Sequence, residues 1–279
     1  MSEHFRGKRV FITGGSSGIG LSLARILVGQ GAHVWIAARG QERLDAALAE
    51  LRALATDGQR TGASALDIAD RGQVQAVTQE VLEGLGGLDI LINNAGIAHP
   101  ATALDTPEEV YDAMMRVNYF GAVNVTSALL PHLRAQRSGH IAMVSSMLGF
   151  MGIYGYTAYA ASKFALTGYS DCLRQELLDV NVGITVLFPP DTDTPQLAEE
   201  NRIKPPETKA IAGEVKTLSA DEVAMSLLRG IEKGRYHVVP GAMGSFTYFM
   251  YRHAPWAVRW IIDGELKKFR RKHSASVSA

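Results

Sequence analysis

The sequence predicts an α/β fold in which a doubly wound parallel sheet of about seven strands carries helices on both faces. Three observations favour this fold class. Short apolar runs alternate with longer amphipathic segments along most of the chain, which is typical of repeated strand–helix units. A glycine-rich turn follows the first apolar run and precedes the first amphipathic segment. The 279 residues are 47% hydrophobic and 20% charged, as in a globular protein with a large core.

The predicted strands are near-continuous apolar runs, as expected for strands that are buried on both faces of a sheet. They lie at residues 9–13, 33–38, 62–65, 88–92, 140–145, 183–188 and 236–239. The predicted helices lie between them, at residues 19–30, 41–56, 71–85, 107–136, 156–180 and 220–233. Because crossovers between parallel strands are right-handed, this alternation places helices on both faces of the sheet.

Two segments interrupt the alternation. Residues 191–218 are too long for an ordinary connection, and we expect a lid or a mobile loop over the substrate there. Residues 244–279 are rich in aromatic and basic side chains, and we expect them to form an additional helical extension. The composition shows no linker before that point, so residues 1–243 are predicted to form a single domain.

Composition and charge exclude several classes of function. Lysine plus arginine and aspartate plus glutamate balance at 28 each, so we expect no nucleic-acid partner. The single cysteine, Cys172, excludes an internal disulfide framework and favours a reducing, cytoplasmic compartment. The N-terminus lacks the layout of a signal peptide, and no run of about 20 uninterrupted apolar residues predicts a spanning helix. We expect no metal centre.

The motif TGGSSGIG, at residues 13–20, connects the first predicted strand to the first predicted helix. Glycine tolerates a positive φ in such a turn, and its missing Cβ lets backbone N–H groups approach a phosphate. The helix start then presents free N–H groups and the positive end of its dipole to a pyrophosphate. In this context the motif predicts a Rossmann-like dinucleotide site. The predicted cofactor contacts are Gly14, Ser16, Ser17, Gly18, Ile19 and Gly20.

Two arginines indicate which dinucleotide binds. A site for NAD usually has an acidic residue at the end of the second strand, whereas this chain has Arg39 there and Arg43 one helical turn later. Two guanidinium groups can hold a 2′-phosphate, so the sequence favours NADPH/NADP. The alternative is that both arginines are solvated surface residues. Asp67, after the third strand, is placed either to contact the adenine or to cap a helix.

The candidate catalytic residues are identified by spacing. Tyr159 precedes Lys163 by four residues, and on a helix such a pair shares one face. The phenol of tyrosine has a pKa near about 10 in water, and a nearby ammonium lowers it. Such a phenol can give a proton to a carbonyl oxygen while hydride reaches the carbonyl carbon. Ser146, at the end of the fifth strand, can hydrogen-bond the same oxygen.

Asparagines mark two further positions of the candidate site. Asn94, Ala95 and Gly96 follow the fourth strand, where small residues let the backbone run beside the cofactor's ribose. Asn118 lies within the long predicted helix, where an asparagine competes with the backbone for hydrogen bonds. We expect Asn118 to interrupt that helix and hold a water, and the alternative is a purely structural asparagine.

These motifs, in this order and at these spacings, resemble those of the short-chain dehydrogenase/reductase family. The resemblance covers about residues 7–190 and rests on TGGSSGIG, the NNAG motif at 93–96, Asn118, Ser146 and the YAASK motif at 159–163. It implies Tyr159 as acid/base and Ser146 as the partner of the carbonyl oxygen. It also implies that Lys163 binds the nicotinamide ribose and lowers the tyrosine's pKa, and that Asn118 holds the water of a proton relay.

The neighbours of these residues are candidates for the substrate pocket. Ser145 is the alternative to Ser146 and a possible substrate contact, although the spacing to Tyr159 and the glycine at 149 favour Ser146. Tyr154 and Tyr156 have no lysine four residues later, so they are predicted either as walls of the substrate pocket or as core residues.

The segment after the sixth strand departs from the family, which commonly has Pro-Gly there. This chain reads PPDTDTP at 189–195, which removes a flexible glycine. Pro189 and Thr192 are predicted to contact the cofactor, with Thr194 as the alternative to Thr192 for the carboxamide. This segment, with the residues up to 205, resembles the 3-ketodihydrosphingosine reductase branch of the family, as do Arg39 and Arg43.

The resemblance and the C-terminal composition together imply the partners. Aromatic and basic residues in 244–272 suit the headgroup region of a bilayer, so we expect peripheral contact with the cytosolic face of a membrane. The alternative is that these residues pack on the protein. The family often pairs its long helices, which implies a homodimer or a homotetramer.

The sequence therefore predicts an enzyme that uses NADPH to reduce a ketone on a long-chain lipid, with 3-ketodihydrosphingosine as the leading substrate. One alternative is a reductase of another lipophilic carbonyl, such as a steroid or a 3-oxoacyl chain. The other is a non-catalytic scaffold that binds NADPH and a membrane, but such a scaffold would need none of the four candidate catalytic residues.

Overall fold

The computed structural model describes residues 3–212 and 217–274 and contains a parallel sheet of seven strands. These residues contain nine strands in all. They are, in chain order, β1 (Arg9–Thr13), β2 (His33–Ala38), β3 (Thr61–Ala65), β4 (Ile90–Asn93), β5 (Gly139–Val144), β6 (Val182–Leu187), β7 (Thr192–Asp193), β8 (Leu218–Ser219) and β9 (His237–Val238). The sheet has the order β3-β2-β1-β4-β5-β6-β9, while β7 and β8 form a separate pair. All seven predicted strands are present in the large sheet, and the predicted fold class is confirmed.

Helices cover both faces of the sheet. They are α1 (Gly18–Gly29), α2 (Gln41–Leu54), α3 (Arg71–Leu85), α4 (Glu108–Met114), α5 (Ala122–Gln136), α6 (Thr157–Glu176), α7 (Pro195–Ile203), α8 (Pro206–Ala212), α9 (Ala220–Glu232), α10 (Ala242–His253) and α11 (Pro255–Ser274). One apolar core joins the sheet to α1, α2 and α9, and a second joins it to α3, α5 and α6. Burial on both faces accounts for the apolar strands.

The strand order reverses between β1 and β4, and this reversal positions the site. Thr13 at the end of β1 lies beside Asn93 at the end of β4 in the register of the sheet. The turns that follow these two strands therefore meet at the carboxyl edge. In open α/β sheets, ligands bind in the crevice at such a reversal.

The helix predicted at 107–136 is interrupted. Between α4 and α5 the chain forms a π-helical turn, Met115–Gly121, that contains the buried Asn118. The Asn118 side chain makes hydrogen bonds outside its own helix, to the backbone of Ile97. The local interruption expected at Asn118 is therefore present, and the wider turn is what points the amide away from the helix axis.

The segment predicted as a lid or a mobile loop is largely helical. It contains β7, α7, α8 and β8, with residues 213–216 outside the described ranges. Thr194 caps α7 by accepting a hydrogen bond from Leu197 N at 3.2 Å, and Pro195 occupies the first helical position. No residue of α7 is buried, so its polar sequence lacked the apolar periodicity that predicts a helix.

The C-terminal residues form two helices that pack on the protein. α10 contacts α11, and α11 contacts α8. This confirms the expected helical extension within the described residues, up to position 274. Nowhere in 3–212 and 217–274 is a helix both long enough and apolar enough to cross a bilayer.

Candidate active site

A cavity of about 780 Å³ lies at the carboxyl edge of the sheet. Its inner wall comes from the glycine turn and from the ends of β2, β4, β5 and β6, and its outer wall comes from α7, α8, α10 and α11. The cavity is therefore shared between the dinucleotide-binding core, the predicted lid and the C-terminal extension. A dinucleotide and an apolar substrate could both be accommodated along it.

The glycine turn has the shape of a phosphate cradle. Gly14 has a φ of +68°, and a Cβ there would lie 2.8 Å from the Cα of Ala95. A Cβ on Gly20 would lie 2.2 Å from the carbonyl oxygen of Gly14, so only glycine lets α1 approach the turn this closely. Ser17 precedes α1 without capping it, which leaves the first N–H groups of the helix to a ligand.

The predicted contacts in this turn divide into two groups. Gly14, Ser17, Gly18 and Ile19 line the cavity. Ser16 lies in the turn but outside the cavity lining, and Gly20 acts through close packing of the backbone. The residues present thus fit a pyrophosphate, because the cradle would be filled by any side chain at Gly14.

Asn94 fixes the glycine turn to the end of β4. Its Nδ2 donates to the carbonyl oxygens of Thr13 at 3.0 Å and Gly14 at 3.1 Å. The backbone N–H groups of Asn94 and Ala95 both donate to the hydroxyl of Thr13, each at 3.1 Å. Asn94, Ala95 and Gly96 line the cavity as predicted, but the amide of Asn94 is engaged by the backbone.

Arg39 and Arg43 line the same end of the cavity and are exposed. Within 3–212 and 217–274, neither guanidinium forms an ion pair with a carboxylate, so both can take a phosphate. Asp67 also lines the cavity, and its Oδ1 accepts from the N–H of Ala69 at 3.0 Å. The alternative role of Asp67 as a helix cap is wrong, because Asp70 caps α3.

Asn118 is 1% exposed, and its side chain is fully hydrogen-bonded. Its Oδ1 accepts from Ile97 N at 2.8 Å, and its Nδ2 donates to Ile97 O and to Ser162 Oγ, each at 2.9 Å. These bonds tie the π-helical turn to α6 and to the chain after β4. The side chain thus braces the π-helical turn, and the water expected at Asn118 stays a prediction.

Ser146, Tyr159 and Lys163 meet at the inner end of the cavity. Ser146 lies close enough to the Tyr159 phenol to lower its pKa. The Nζ of Lys163 lies 5.7 Å from the centre of the Tyr159 ring and donates to Val144 O at 2.9 Å. All three residues line the cavity, and the spacing that selected Tyr159 places it and Lys163 on one face of α6.

The pKa values of the tyrosine and the lysine reflect burial. Burial raises the pKa of Tyr159 above its ordinary value, the negative charge of Glu200 adds to the rise, and the bond from Ser146 opposes it. Burial lowers the pKa of Lys163 to about 8, while Glu200 raises it. Burial thus sets the direction of the shift in this structure, and the lowering of the tyrosine's pKa by Lys163 stays a prediction.

Of the three predicted substrate contacts, Ser145 and Tyr156 line the cavity and Tyr154 does not. Ser145 is 2% exposed, and its hydroxyl faces α6, 3.4 Å from Lys163 O and 3.5 Å from Thr167 Oγ1. Its hydroxyl is therefore engaged with α6, and its contact with a substrate stays a prediction. Tyr154 lies outside the cavity lining, with the guanidinium of Arg270 in α11 over its ring at 5.4 Å. This contact joins the segment before α6 to the C-terminal extension.

Tyr156 lines the cavity, and it contacts Glu200, a residue that sequence spacing did not identify. Its phenol donates to Glu200 Oε2 at 2.7 Å, across 44 positions of sequence. The ring of Tyr156 lies 5.8 Å from that of Tyr159. No periodic pattern connects α6 with α7, so only the folded lid reveals that a carboxylate faces the candidate catalytic groups.

The segment after β6 lies along the cavity as predicted. The carbonyl of Pro189 accepts from Met147 N at 3.1 Å. The hydroxyl of Thr192 donates to Pro190 O at 2.8 Å and can still accept a bond from an amide, whereas that of Thr194 already accepts the N–H that caps α7. This difference favours Thr192 over Thr194 as acceptor for a carboxamide.

Comparisons with known proteins agree with this geometry. The family model for short chain dehydrogenases matches residues 8–204. A 3-ketodihydrosphingosine reductase of Bos taurus is 35% identical over 240 residues, covering 85% of this chain and 72% of that protein. A 3-dehydrosphinganine reductase of Arabidopsis thaliana is 41% identical over 235 residues, covering 83% and 69%. The crystal structure of levodione reductase is similar in fold, with a TM-score of 0.78 at 24% identity, covering 86% of this chain and 99% of that one.

Proposed function

The chain belongs to the short-chain dehydrogenase/reductase family, and from this premise we propose that it reduces the ketone of a long-chain lipid with NADPH. The substrate is 3-ketodihydrosphingosine, which is reduced to dihydrosphingosine. The observation that carries this proposal is the similarity over most of the chain to reductases named for that ketone. Ser146, together with the buried Tyr159 and Lys163, lies beside a largely apolar cavity and supplies the chemistry it requires.

Different residues of the cavity would bind the cofactor and carry out the reaction. The glycine turn would hold the pyrophosphate, and Arg39 and Arg43 the 2′-phosphate. NADPH, when bound, supplies hydride to the carbonyl carbon. Tyr159 gives its phenolic proton to the carbonyl oxygen, so the product is a secondary alcohol. Ser146 donates a hydrogen bond to that oxygen and stabilises the charge that develops on it.

Lys163 supports the proton transfer in two ways. Its ammonium stabilises the phenolate that Tyr159 becomes after it gives up its proton. It also lies near Gly96, since a Cβ there would be 3.4 Å from Nζ and 3.1 Å from Asn118 Oδ1. The π-helical turn and the lysine therefore border one small space, where we place the water that reprotonates Tyr159.

The C-terminal helices provide the means to reach a substrate dissolved in a membrane. Phe246 and Ile261 line the cavity and are nevertheless 60% and 55% exposed. Trp256 and Trp260 lie on α11 with Ile261 and are 72% and 75% exposed. We propose that this surface contacts the cytosolic face of a membrane, so that the cavity opens where a lipid can enter.

We also propose that the chain assembles as a homodimer or a homotetramer. Phe120 in the π-helical turn and Phe164 in α6 are 45% and 44% exposed. Exposed aromatic residues on two of the long helical segments suit an interface between copies. Sedimentation of the purified protein tests this directly.

A substrate panel tests the proposed function. Oxidation of NADPH is followed with the C18 keto-sphingoid base, a steroid ketone and a 3-oxoacyl chain, each presented in vesicles. The keto-sphingoid base should give the highest kcat/KM. Turnover of the steroid or the 3-oxoacyl chain without turnover of the keto-sphingoid base would contradict the proposal.

A further inference from the structure

Glu200 is a carboxylate in the cavity that the reaction as described does not use. It lies on α7, in the predicted lid, and lines the cavity together with Tyr159. Its Oε2 accepts from the Tyr156 phenol at 2.7 Å, and its Oε1 accepts from Gln196 Nε2 at 3.1 Å. Each carboxylate oxygen thus accepts a hydrogen bond from one neutral donor. A side chain this well oriented at a binding cavity requires an explanation.

Within residues 3–212 and 217–274, the Glu200 carboxylate forms no ion pair with a cation of the protein. Lys204, one turn later, pairs with Asp191 at 3.3 Å. Arg202 pairs with Glu199 at 2.9 Å, on the outside of the lid. Across 3–212 and 217–274, no lysine, arginine or histidine nitrogen lies within 4 Å of the Glu200 carboxylate. Lys204 also lines the cavity, 6.0 Å from the centre of the Tyr156 ring, but its ion pair is with Asp191, so Glu200 can pair with a cation of a ligand.

The charge of Glu200 reaches the reacting groups. It raises the pKa of Tyr159 and also the pKa of Lys163, so both groups sense the carboxylate. Tyr156 lies between Glu200 and Tyr159. Its ring is 5.8 Å from the Tyr159 ring, and its hydroxyl donates a hydrogen bond to Glu200. A cation that pairs with Glu200 would consequently lie close to the carbonyl that Tyr159 protonates.

We propose that Glu200 binds the ammonium group of an amino ketone, on the carbon next to the carbonyl, and that Tyr156 is its positioning residue. The proposal rests on the proposed function, because the keto-sphingoid base carries such an amine. The short separation between ammonium and ketone matches a carboxylate held beside the proton donor. Pairing with Glu200 selects this substrate over ketones of the same length that lack the amine.

Two substrates and matched variants test the proposal. The substrates are the C18 keto-sphingoid base and the same 1-hydroxy-3-ketone with hydrogen in place of the amine. The selectivity is the ratio of their kcat/KM values with NADPH. In Glu200→Gln the selectivity for the amino ketone should fall by about tenfold or more, mainly through KM. Tyr156→Phe should lower it in the same direction.

Glu199→Gln is the matched control, because Glu199 lies on the same helix and pairs with Arg202 away from the cavity. Its selectivity should equal that of the wild type. Any effect of Glu200 on the Tyr159 phenol changes both substrates alike and cancels in the ratio. Binding of NADPH, followed by its fluorescence, establishes that each variant is folded.

The outcomes separate this inference from the proposed function. Equal selectivity in wild type and Glu200→Gln, with turnover of the amino ketone, overturns the role of Glu200 and leaves the proposed function intact. Absence of turnover of the amino ketone by the wild type overturns the proposed function and the inference with it. Inhibition of the wild type by a long-chain primary amine, but not by the matching alcohol, is the supporting result that needs no variant.

Discussion

The phenol of Tyr159 is the only group in the proposed reaction that gives up a proton to the substrate. Tyr159→Phe keeps the ring and its packing but removes that proton. We expect kcat to fall at least about a hundredfold, while the affinity for NADPH changes little. The measurement is NADPH oxidation together with NADPH fluorescence titration.

Tyr169→Phe is the control for that substitution. Tyr169 lies on the same helix, α6, and packs against Tyr119 rather than lining the cavity. Its loss of a hydroxyl should leave kcat nearly unchanged. Retained turnover in Tyr159→Phe would show that another group supplies the proton.

Arg39 is expected to set the preference of the enzyme for NADPH over NADH. Replacing it by aspartate removes a cation from the proposed 2′-phosphate site and adds an acceptor for ribose hydroxyls. The ratio of kcat/KM for NADPH over NADH should therefore fall by about tenfold or more. Arg52→Asp, an exposed site on α2 outside the cavity lining, should leave the ratio unchanged. An unaltered ratio in Arg39→Asp would remove the 2′-phosphate assignment.

At the scale of single residues, the sequence predicts what depends on helical spacing. The offset of four residues selects Tyr159 because a helix repeats every 3.6 residues and sets its side chains in rows. The orientation of the Ser145 hydroxyl depends instead on its contact with Thr167, and no spacing in the sequence predicts that contact. The contact between Tyr156 and Glu200 joins elements 44 positions apart and requires the folded lid.

At the scale of elements, the contact of His140 in β5 with Thr185 in β6 makes the stability of the sheet depend on pH. In β5, His140 Nε2 lies 2.8 Å from the hydroxyl of Thr185 in β6, and that hydroxyl donates to Arg235 O. The threonine therefore accepts from the imidazole, which is neutral with its proton on Nε2. Burial lowers the pKa of His140 to about 4, from 6.5. A second proton would be placed on Nδ1, against Gly183.

This pKa predicts acid lability of the sheet. Between pH 6.5 and 4 the unfolded chain binds more protons at this position than the folded protein does. Stability therefore decreases as the pH falls through that window, by about 2 kcal/mol between pH 7 and pH 5. Urea unfolding at the two pH values should show this loss in the wild type and a smaller loss in His140→Gln. An equal loss in both would place the acid sensitivity elsewhere.

At the scale of elements, the strands were predictable and the lid was not. Strands buried on both faces must be apolar throughout, so their positions are visible in the sequence. The helices of the lid bury little, and without an apolar face they have no 3.6-residue pattern to detect. The π-helical turn is likewise hidden, because Asn118 indicates an interruption but its form depends on Ile97 and Ser162.

For the whole molecule, the cavity is completed by parts that are distant in sequence. The glycine turn contributes one end, and α10 and α11 contribute the other, more than 220 residues later. The C-terminal composition alone allowed either packing on the protein or contact with a membrane. The structure combines packing with exposure, since Val258 is 8% exposed and Trp260, on the same helix, is 75% exposed.

The exposed tryptophans allow a test of membrane contact. Indole rings favour the interface between headgroups and acyl chains, and the basic residues that follow them on α11 favour anionic lipid. Replacing Trp256 and Trp260 together by serine should lower the partition coefficient onto anionic vesicles by about tenfold or more, without loss of NADPH binding. Flotation of the protein with vesicles measures this partition.

The matched control removes exposed apolar residues at the opposite edge of the sheet. Leu54 ends α2 and Leu178 follows α6, and both are exposed, at 47% and 70%. Each lies shortly before a strand begins, and thus away from the carboxyl edge where the cavity opens. Serine at both positions should leave vesicle binding unchanged, because this edge faces away from the bilayer. If both pairs of substitutions weaken flotation equally, the surface around α10 and α11 has no special affinity for lipid, and the substrate must reach Tyr159 by another path.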